Sequence, residues 1–414
     1  MALPLEGIRV LDLATILAGP YGATLLGDMG ADVIKIEPPT GDESRTMSPG
    51  VENESGLFIG VNRNKRGIVL DLTKPEGRQV YYRLVKTADI VIENMRADAE
   101  QKLGVSYEHT VEHNPKIIYI SVSTFGETGP YAGRPGIDPL AQALTGFMSH
   151  TGLPGGPPLR TGIAVADATC ANLIAYAAMV GLWVREKQGI GQRIELSLVN
   201  GLVHIMPREV GQYAVLQYIT PRTGNGSPFF APYNTFTCRD GKDILIALFS
   251  NKWFRNLCRA IDRPDLLEDQ RFSSNLKRLQ NRVALEAEIQ RWFASVDWKT
   301  AMKALIDADV IAAPVNNLAE AWEDPQIRHN EMLVEVDHAR LGRITVAGVA
   351  PKLSRTPGAV RRAPPTLGQH TEEVLREVGF SAEELAHLRA AGVITPVPHP
   401  PPALRVEELP PYEA

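Results

Sequence analysis

An aspartate at the head of a long apolar helix is the first residue in this sequence with chemistry to offer. Asp167 closes the run Thr161-Gly162-Ile163-Ala164-Val165-Ala166-Asp167, and an alanine-rich stretch from Ala168 to Val184 follows it. The spacing predicts a helix with Asp167 in the N-cap position, where first-turn amides and the helix dipole would keep the carboxylate ionised. A carboxylate so placed has two possible roles. It caps the helix and does nothing more, the commoner role on position alone, or it attacks an activated acyl carbon as a nucleophile. Asp138, in Gly136-Ile137-Asp138, is a second carboxylate to weigh against it.

Other reactive patterns are missing. No Gly-x-Ser-x-Gly elbow, phosphate-loop signature or zinc-type Cys or His spacing occurs. His109 and His113 stand four apart on a polar helical stretch and read as surface residues, so no metal site is expected. The first strand, turn, helix and strand end in Glu37 and imitate a dinucleotide fold. The turn, however, reads Leu17-Ala18-Gly19-Pro20-Tyr21-Gly22 rather than Gly-x-Gly-x-x-Gly, and Pro20 lacks an amide that a pyrophosphate would use. From the residues alone, a nicotinamide enzyme is the competing reading, and this turn counts against it.

The elements that must position these groups alternate in type. Short apolar runs at Ile8 to Leu13, Asp32 to Glu37, Gly67 to Leu72, Asp89 to Ile92, Lys116 to Val122 and Arg193 to Val199 read as strands. Helical segments fall between them at Tyr21 to Met29, Pro75 to Lys86 and Tyr107 to His113. The alternation predicts parallel strands with crossover helices, a doubly wound α/β domain. The character changes after about residue 205. Pro221 to Pro232 reads as a loop, Tyr233 to Leu248 as a hairpin turning at Asp240-Gly241, and Trp253 to Leu305 as charged helix. Strand character returns at Ile344 to Lys352. Helices are expected at Thr371 to Val378 and Ser381 to Ala391, the second opening with Ser381 and Glu384 at capping-box spacing. After Ile394 comes a tail with seven prolines, expected to be extended.

Bulk properties bound the function. The chain has 414 residues, 44% hydrophobic and 22% charged, with a net charge of -5. No global positive field would draw in nucleic acid or an anionic membrane, so any anionic ligand needs a local cluster of donors. Arg63, Lys65, Arg66, Arg96 and Lys102 are candidates for that cluster. The three cysteines, Cys170, Cys238 and Cys258, are widely spaced, which argues for a reducing compartment. The opening Met-Ala-Leu-Pro-Leu-Glu-Gly lacks a basic start and apolar run, so a cytoplasmic location is expected. Ala168 to Val184 reads as a buried helix rather than a membrane span.

A series of segments in fixed order resembles the class III CoA-transferase family, of the formyl-CoA transferase and carnitine-CoA transferase type. The segments are Leu17-Ala18-Gly19-Pro20, Leu26-Gly27-Asp28, Gly30 to Pro38, Asn62-Arg63-Asn64-Lys65-Arg66, Leu70-Asp71-Leu72, Pro75-Glu76-Gly77, Ala88 to Asn94, Phe125 to Tyr131 and Gly368-Gln369-His370-Thr371. The resemblance runs nearly to Ile394 and implies that Asp167 is the family's nucleophile. It further implies CoA contacts at Leu17, Ala18, Leu70, Asp71, Leu72, Thr73, Asn94, Met95, Arg96, Lys102, Gly136, Ile137 and Asp138. The implied fold is a large Rossmann-like domain from residues 1–205 and 330–394, with a smaller α+β domain at 225–325. Residues 206–224 would link them and 395–414 would form the proline-rich tail. Two chains would interlock as a homodimer.

The implied reaction moves CoA from an acyl-CoA to a small carboxylic or dicarboxylic acid through an aspartyl-CoA thioester. Succinyl-CoA is the expected donor, and no cofactor beyond CoA as substrate is expected. Two alternatives stay open. An α-methylacyl-CoA racemase would place a histidine where Ile137 stands, and isoleucine moves no proton. A non-catalytic acyl-CoA-binding protein would keep the fold without using Asp167.

Overall fold

A computed structural model of the protein describes residues 2–52, 54–397 and 403–410. Two compact units divide the chain. The first comprises residues 1–145, 162–207 and 325–414; the second comprises 146–161 and 208–324.

The first unit is built on six parallel strands: β1 (Arg9–Asp12), β2 (Asp32–Glu37), β3 (Lys65–Val69), β4 (Ile90–Glu93), β5 (Ile118–Ser123) and β6 (Gln192–Ser197). Their order, β3-β2-β1-β4-β5-β6, is that of dinucleotide-binding sheets. The chain moves outward from β1 in one direction, then restarts beside β1 at β4 and moves the other way. The expectation of an α/β domain with a parallel sheet therefore holds. Strands this apolar need cover on both faces. On one face, Leu11, Ile34 and Val91 pack against Tyr81 and Leu84 of helix α2 (Pro75–Val85) and against residues of the C-terminal helices. The other face carries α1 (Ala18–Asp28) and α5 (Val165–Gln188), with α3 (Ala97–Leu103) and α4 (Asp138–Leu144) lying between them in the chain. Contact between α1 and α5 is close enough to require glycine. A Cβ on Gly22 would lie 2.7 Å from the Ile174 side chain.

The Gly368-Gln369-His370-Thr371 motif explains why the C-terminal segment returns to this unit. β3 is an edge strand, whose free amides would otherwise template unwanted pairing. Gly67 donates its N–H to His370 Nδ1 at 3.1 Å, and His370 donates its own N–H to Gly67 O at 2.9 Å. Val69 donates to Thr371 Oγ1 at 3.1 Å. The motif thus seals the edge through the side chains of His370 and Thr371.

The second unit holds a three-stranded antiparallel sheet of β7 (Tyr233–Thr237), β8 (Asp243–Ala247) and β9 (Ala312–Pro314). Gly241, at φ +84°, makes the hairpin turn. Phe236, Ile244, Phe254, Leu257, Phe272, Leu285 and Phe293 form its core with the surrounding helices. Residues 146–161 join this unit through Arg222, which donates to Gly156 O at 2.7 Å, and Gly224, which donates its N–H to Gly152 O at 2.9 Å. The stretch 206–224, read from sequence as a linker, contains a helix, Pro207–Leu216. Its apolar residues are exposed, so the proline and glycine punctuation around it was the stronger sequence signal.

The capping box expected at Ser381 is present: Glu384 N–H donates to Ser381 Oγ and Ser381 N–H to Glu384 Oε2. Of the proline-rich tail, residues 398–402 and 411–414 lie outside the described residues. Val397 N–H donates to Pro39 O at 3.0 Å and Gly50 N–H to Leu404 O at 2.8 Å.

Candidate active site

The loops that leave the C-terminal ends of parallel strands share one edge of the sheet, and ligands of such sheets bind there, at the point where strand order reverses. Here that point lies between β1 and β4. The loops are 13–17 after β1, 70–73 after β3, 94–96 after β4 and 124–137 after β5. They contain every residue expected to contact CoA except Ala18 and Asp138, which begin the next helices, and Lys102, in the last turn of α3.

Asp167 does not sit where the sequence reading put it. Helix α5 begins at Val165 with Ala164 as N-cap, so Asp167 is the third helical residue and makes no capping bond. The cap comes from elsewhere in the fold. Asp138, the first residue of α4, is buried, and its Oδ2 accepts the N–H of Ala166 at 2.6 Å and of Asp167 at 3.2 Å. Gln142, one turn later, donates to Oδ1 of the same carboxylate. Asp138 thus supplies the anion that the helix terminus favours, and Asp167 is left with its own carboxyl free.

The consequence reverses the expected electrostatics. The pKa of Asp167 is pushed up from the usual carboxylate value to about 7, first by burial and then by the charge of Asp138. Burial disfavours the charged form, and a like charge nearby does the same. The group is therefore near half-ionised at neutral pH, and its anion is more basic than an ordinary aspartate. Cys170, buried one turn along α5, has its thiol raised to about 12 by burial and by Asp167. It stays a thiol and offers no competing thiolate.

Several sequence expectations need correction. Arg63, Lys65 and Arg66 do not form a surface cluster for phosphates. Arg63 is buried against Asp28, with Nη2 to Oδ2 at 2.6 Å. Lys65 is buried against Asp12 at 2.7 Å. Arg66 is paired with Asp32, Glu373 and Glu377. The sequence Asn-Arg-Asn-Lys-Arg is as polar as a surface loop, and only its tertiary partners reveal burial. Arg96 and Lys102 are exposed, Arg96 lying 3.4 Å from Asp98.

The side chains of Leu70 and Leu72 belong to the hydrophobic core, and Met95 packs against that core. Asp71 Oδ1 accepts from Thr73 N–H at 3.1 Å and from the Thr73 hydroxyl, a local turn in which Thr73 stays exposed. Leu17 is the N-cap residue of α1 and is half-buried; Ala18 is buried beside it. Asn94 is engaged with Thr15 through both functional atoms. Ile137 is 61% exposed. Gly136 is required by space, since a Cβ there would come within 2.5 Å of Thr124. His113 stacks on Tyr82 at 4.1 Å between centroids and His109 contacts Ser106 at 2.9 Å, structural roles for both.

Sequence reasoning gave Asp138 to CoA and missed its capping role. The local signal was available in part: Asp138 and Gln142 stand at the i, i+4 spacing of a carboxylate–amide pair. The helix it caps starts more than 25 residues later, and nothing local announces that contact.

The model of CoA-transferase family III matches residues 5–371. A succinyl-CoA:mesaconate CoA-transferase of Haloarcula hispanica is 39% identical over 385 residues, covering 91% of this chain and 96% of that protein. The human succinyl-CoA:glutarate CoA-transferase is 34% identical over 395 residues, covering 94% and 90% respectively. Among solved structures, a CaiB/BaiF family protein from Brucella suis superposes with a TM-score of 0.85 at 33% identity, covering 91% of this chain and all of that one. A match over this much of the chain leaves no competing assignment: the protein belongs to CoA-transferase family III.

Proposed function

We propose that this enzyme transfers CoA from succinyl-CoA to a small dicarboxylic acid, with Asp167 as the covalent carrier. The observation that supports it most is the state of Asp167: a half-buried carboxyl, free of hydrogen-bond obligations to its own helix, with a pKa near neutrality. A capping aspartate is held low by the amides it accepts; this one is held high by burial and then by the charge of Asp138, which has taken those amides. Relatives named for transfer from succinyl-CoA to mesaconate, glutarate and D-citramalate support the substrate class.

The chemistry proceeds by four acyl transfers. The Asp167 carboxylate attacks the thioester carbonyl of the donor, and the C–S bond breaks to give a mixed anhydride and CoA thiolate. The thiolate attacks the Asp167 side-chain carbonyl, expelling the donor acid and leaving an aspartyl-CoA thioester. An acceptor carboxylate attacks that thioester, releasing thiolate and forming a second anhydride. The thiolate then attacks the acceptor's carbonyl, which yields the new acyl-CoA and restores the Asp167 carboxylate. No proton need be moved in any step, which suits a site lacking a histidine at Ile137. Water must be kept out, because it would hydrolyse either anhydride or the thioester.

A homodimer supplies that exclusion in this reading. Helix α5 is long and apolar enough to cross a membrane by length and composition. One side of it is buried through Ala166, Cys170, Ile174 and Ala178. The other presents Tyr176, Met179, Val180 and Trp183 to solvent, and Ile137, Leu140, Leu144 and Ile163 are exposed near its start in the same unit. Exposed apolar residues grouped in this way support an interface, and a second, interlocked copy is the occupant we assign to it. The buried free cysteines fit the reducing environment of the cytoplasm.

The test is a transfer assay with succinyl-CoA against a panel of mono- and dicarboxylic acids. The reading requires new acyl-CoA with at least one dicarboxylate, in amounts matching the succinate released. Hydrolysis alone, or no turnover with any acid, would contradict it.

A further inference from the structure

The loop between β1 and α1 is held by its backbone, and the groups that hold it converge from three strands. Ala14 N–H donates to Asp12 Oδ1 at 3.1 Å, and Ala14 O accepts from Lys35 Nζ. Thr15 N–H donates to Asn94 Oδ1 at 2.8 Å, and Thr15 O accepts from Asn94 Nδ2 at 2.9 Å. Ile16 N–H donates to Asp42 Oδ1 at 3.2 Å. Lys35 Nζ also pairs with Asp42 at 2.7 Å, and Lys65 Nζ donates to Asp12 Oδ2 and to Pro20 O, each at 2.7 Å. Lys35, Lys65, Asp12 and Asp42 are all buried. This restraint is needed because Ile16 adopts φ +71°, a region that a β-branched residue enters only under constraint.

Asn94 differs from the other members. It leaves the end of β4 while Thr15 leaves the end of β1, so its two hydrogen bonds span the point where strand order reverses. We infer that Asn94 is a positioning residue: it fixes residues 14–17 as the seat of acyl-CoA and does not touch CoA with its own side chain. The two bonds to Thr15, one at Oδ1 and one at Nδ2, fix the orientation of its amide on that loop. The inference rests on the reading above that acyl-CoA lies along Leu17 and Ala18.

Two variants and one exchange measurement test it. Asn94→Ala removes both bonds to Thr15; Asn94→Asp keeps the acceptor for Thr15 N–H and loses the donor. With Asn94→Ala, KM for succinyl-CoA should rise about tenfold, as expected for two lost neutral hydrogen bonds. KM for the acceptor acid should stay within about twofold, and Asn94→Asp should fall between Asn94→Ala and wild type. Amide hydrogen exchange across residues 13–21 of the free enzyme should speed up in Asn94→Ala in step with KM. CoA should slow exchange in the same segment of the wild-type enzyme. A raised KM with unchanged exchange in the free variant would mean direct contact between Asn94 and CoA, and would overturn the inference. So would an unchanged KM. Absence of protection by CoA in an active wild-type enzyme would instead remove the seat itself, whatever the variants do.

Discussion

Replacing Asp138 by asparagine separates its role as a cap from a role in binding CoA. The carboxamide oxygen can still accept from Ala166 and Asp167, which now receive their bonds from Oδ2 at 2.6 and 3.2 Å. The amide nitrogen takes the place of Oδ1, which accepts from Gln142 in the native protein. What is lost is charge. Three charge-assisted bonds, from Ala166, Asp167 and Gln142, are weakened and a helix terminus loses its anion, a destabilisation of about 2 kcal/mol. The effect on Asp167 is more diagnostic. The charge of Asp138 is one of the two causes that hold the Asp167 pKa near 7, and removing a neighbouring like charge lowers a carboxyl pKa by about one unit. At pH 6 a carboxyl of pKa near 7 is about one-tenth ionised, and one titrating a unit lower is about half ionised.

The ratio of kcat/KM for Asp138→Asn over wild type should therefore be about fivefold higher at pH 6 than at pH 8.5. Its plateau at high pH should fall, because a less basic carboxylate is a weaker nucleophile. The assay is initial CoA transfer from pH 5.5 to 8.5 at constant ionic strength. A ratio that stays flat across pH would refute the electrostatic reasoning. A raised KM for acyl-CoA with an unmoved acidic limb would return Asp138 to the CoA contacts.

Two further perturbations follow from buried or exposed groups. Glu93 is fully buried and its pKa is raised to about 8, by burial first and with Glu100 and Glu127 adding to it, while Oε2 accepts Met95 N–H. The folded state holds a proton that the unfolded chain loses above its ordinary value of 4.5, so this group's contribution falls as pH rises from that value towards 8. Glu93→Gln should raise the melting temperature more at pH 8 than at pH 5, and a difference that does not change with pH would contradict the assignment. On α5, Tyr176→Glu with Trp183→Glu should abolish the dimer and the activity by light scattering and turnover, whereas Val283→Glu, at an 84% exposed position in the second unit, should leave both intact. A fully active dimer carrying both α5 substitutions would remove that face from the interface.

The parallel sheet was legible because its strands are short apolar runs between helical segments, a pattern that burial on both faces imposes. β2, read as 32–37, is observed as Asp32–Glu37. Its buried Lys35 and Glu37 were not recognisable as interior residues, since their partners Ala14, Asp42 and Arg45 come from the segments that follow β1 and β2, the last from a short 3-10 helix. The nucleophile candidate was visible as an aspartate before apolar helix and through the resemblance to the family. The helix begins two residues ahead of it, at Val165, so Asp167 is not the cap and its carboxyl is raised rather than lowered. That shift comes first from burial and then from Asp138, which occupies the helix terminus from another element, and periodicity reports neither. The Gly368 to Thr371 motif was noticed for its likeness to the family, and its physical role, sealing the edge of β3, emerges only from the paired strand.

The central claim is that Asp167 carries CoA covalently. Incubation with succinyl-CoA and no acceptor acid should load the enzyme with CoA as a thioester on the Asp167 side chain. Hydroxylamine should convert that residue to a hydroxamate, and borohydride should reduce it to an alcohol, both identifiable by peptide mass. Asp167→Asn makes no capping bond to lose, so the variant should fold, bind CoA, and fail to form the adduct or turn over. A label found on Asp138, or near-normal turnover by Asp167→Asn without reversion to aspartate by deamidation, would contradict the account.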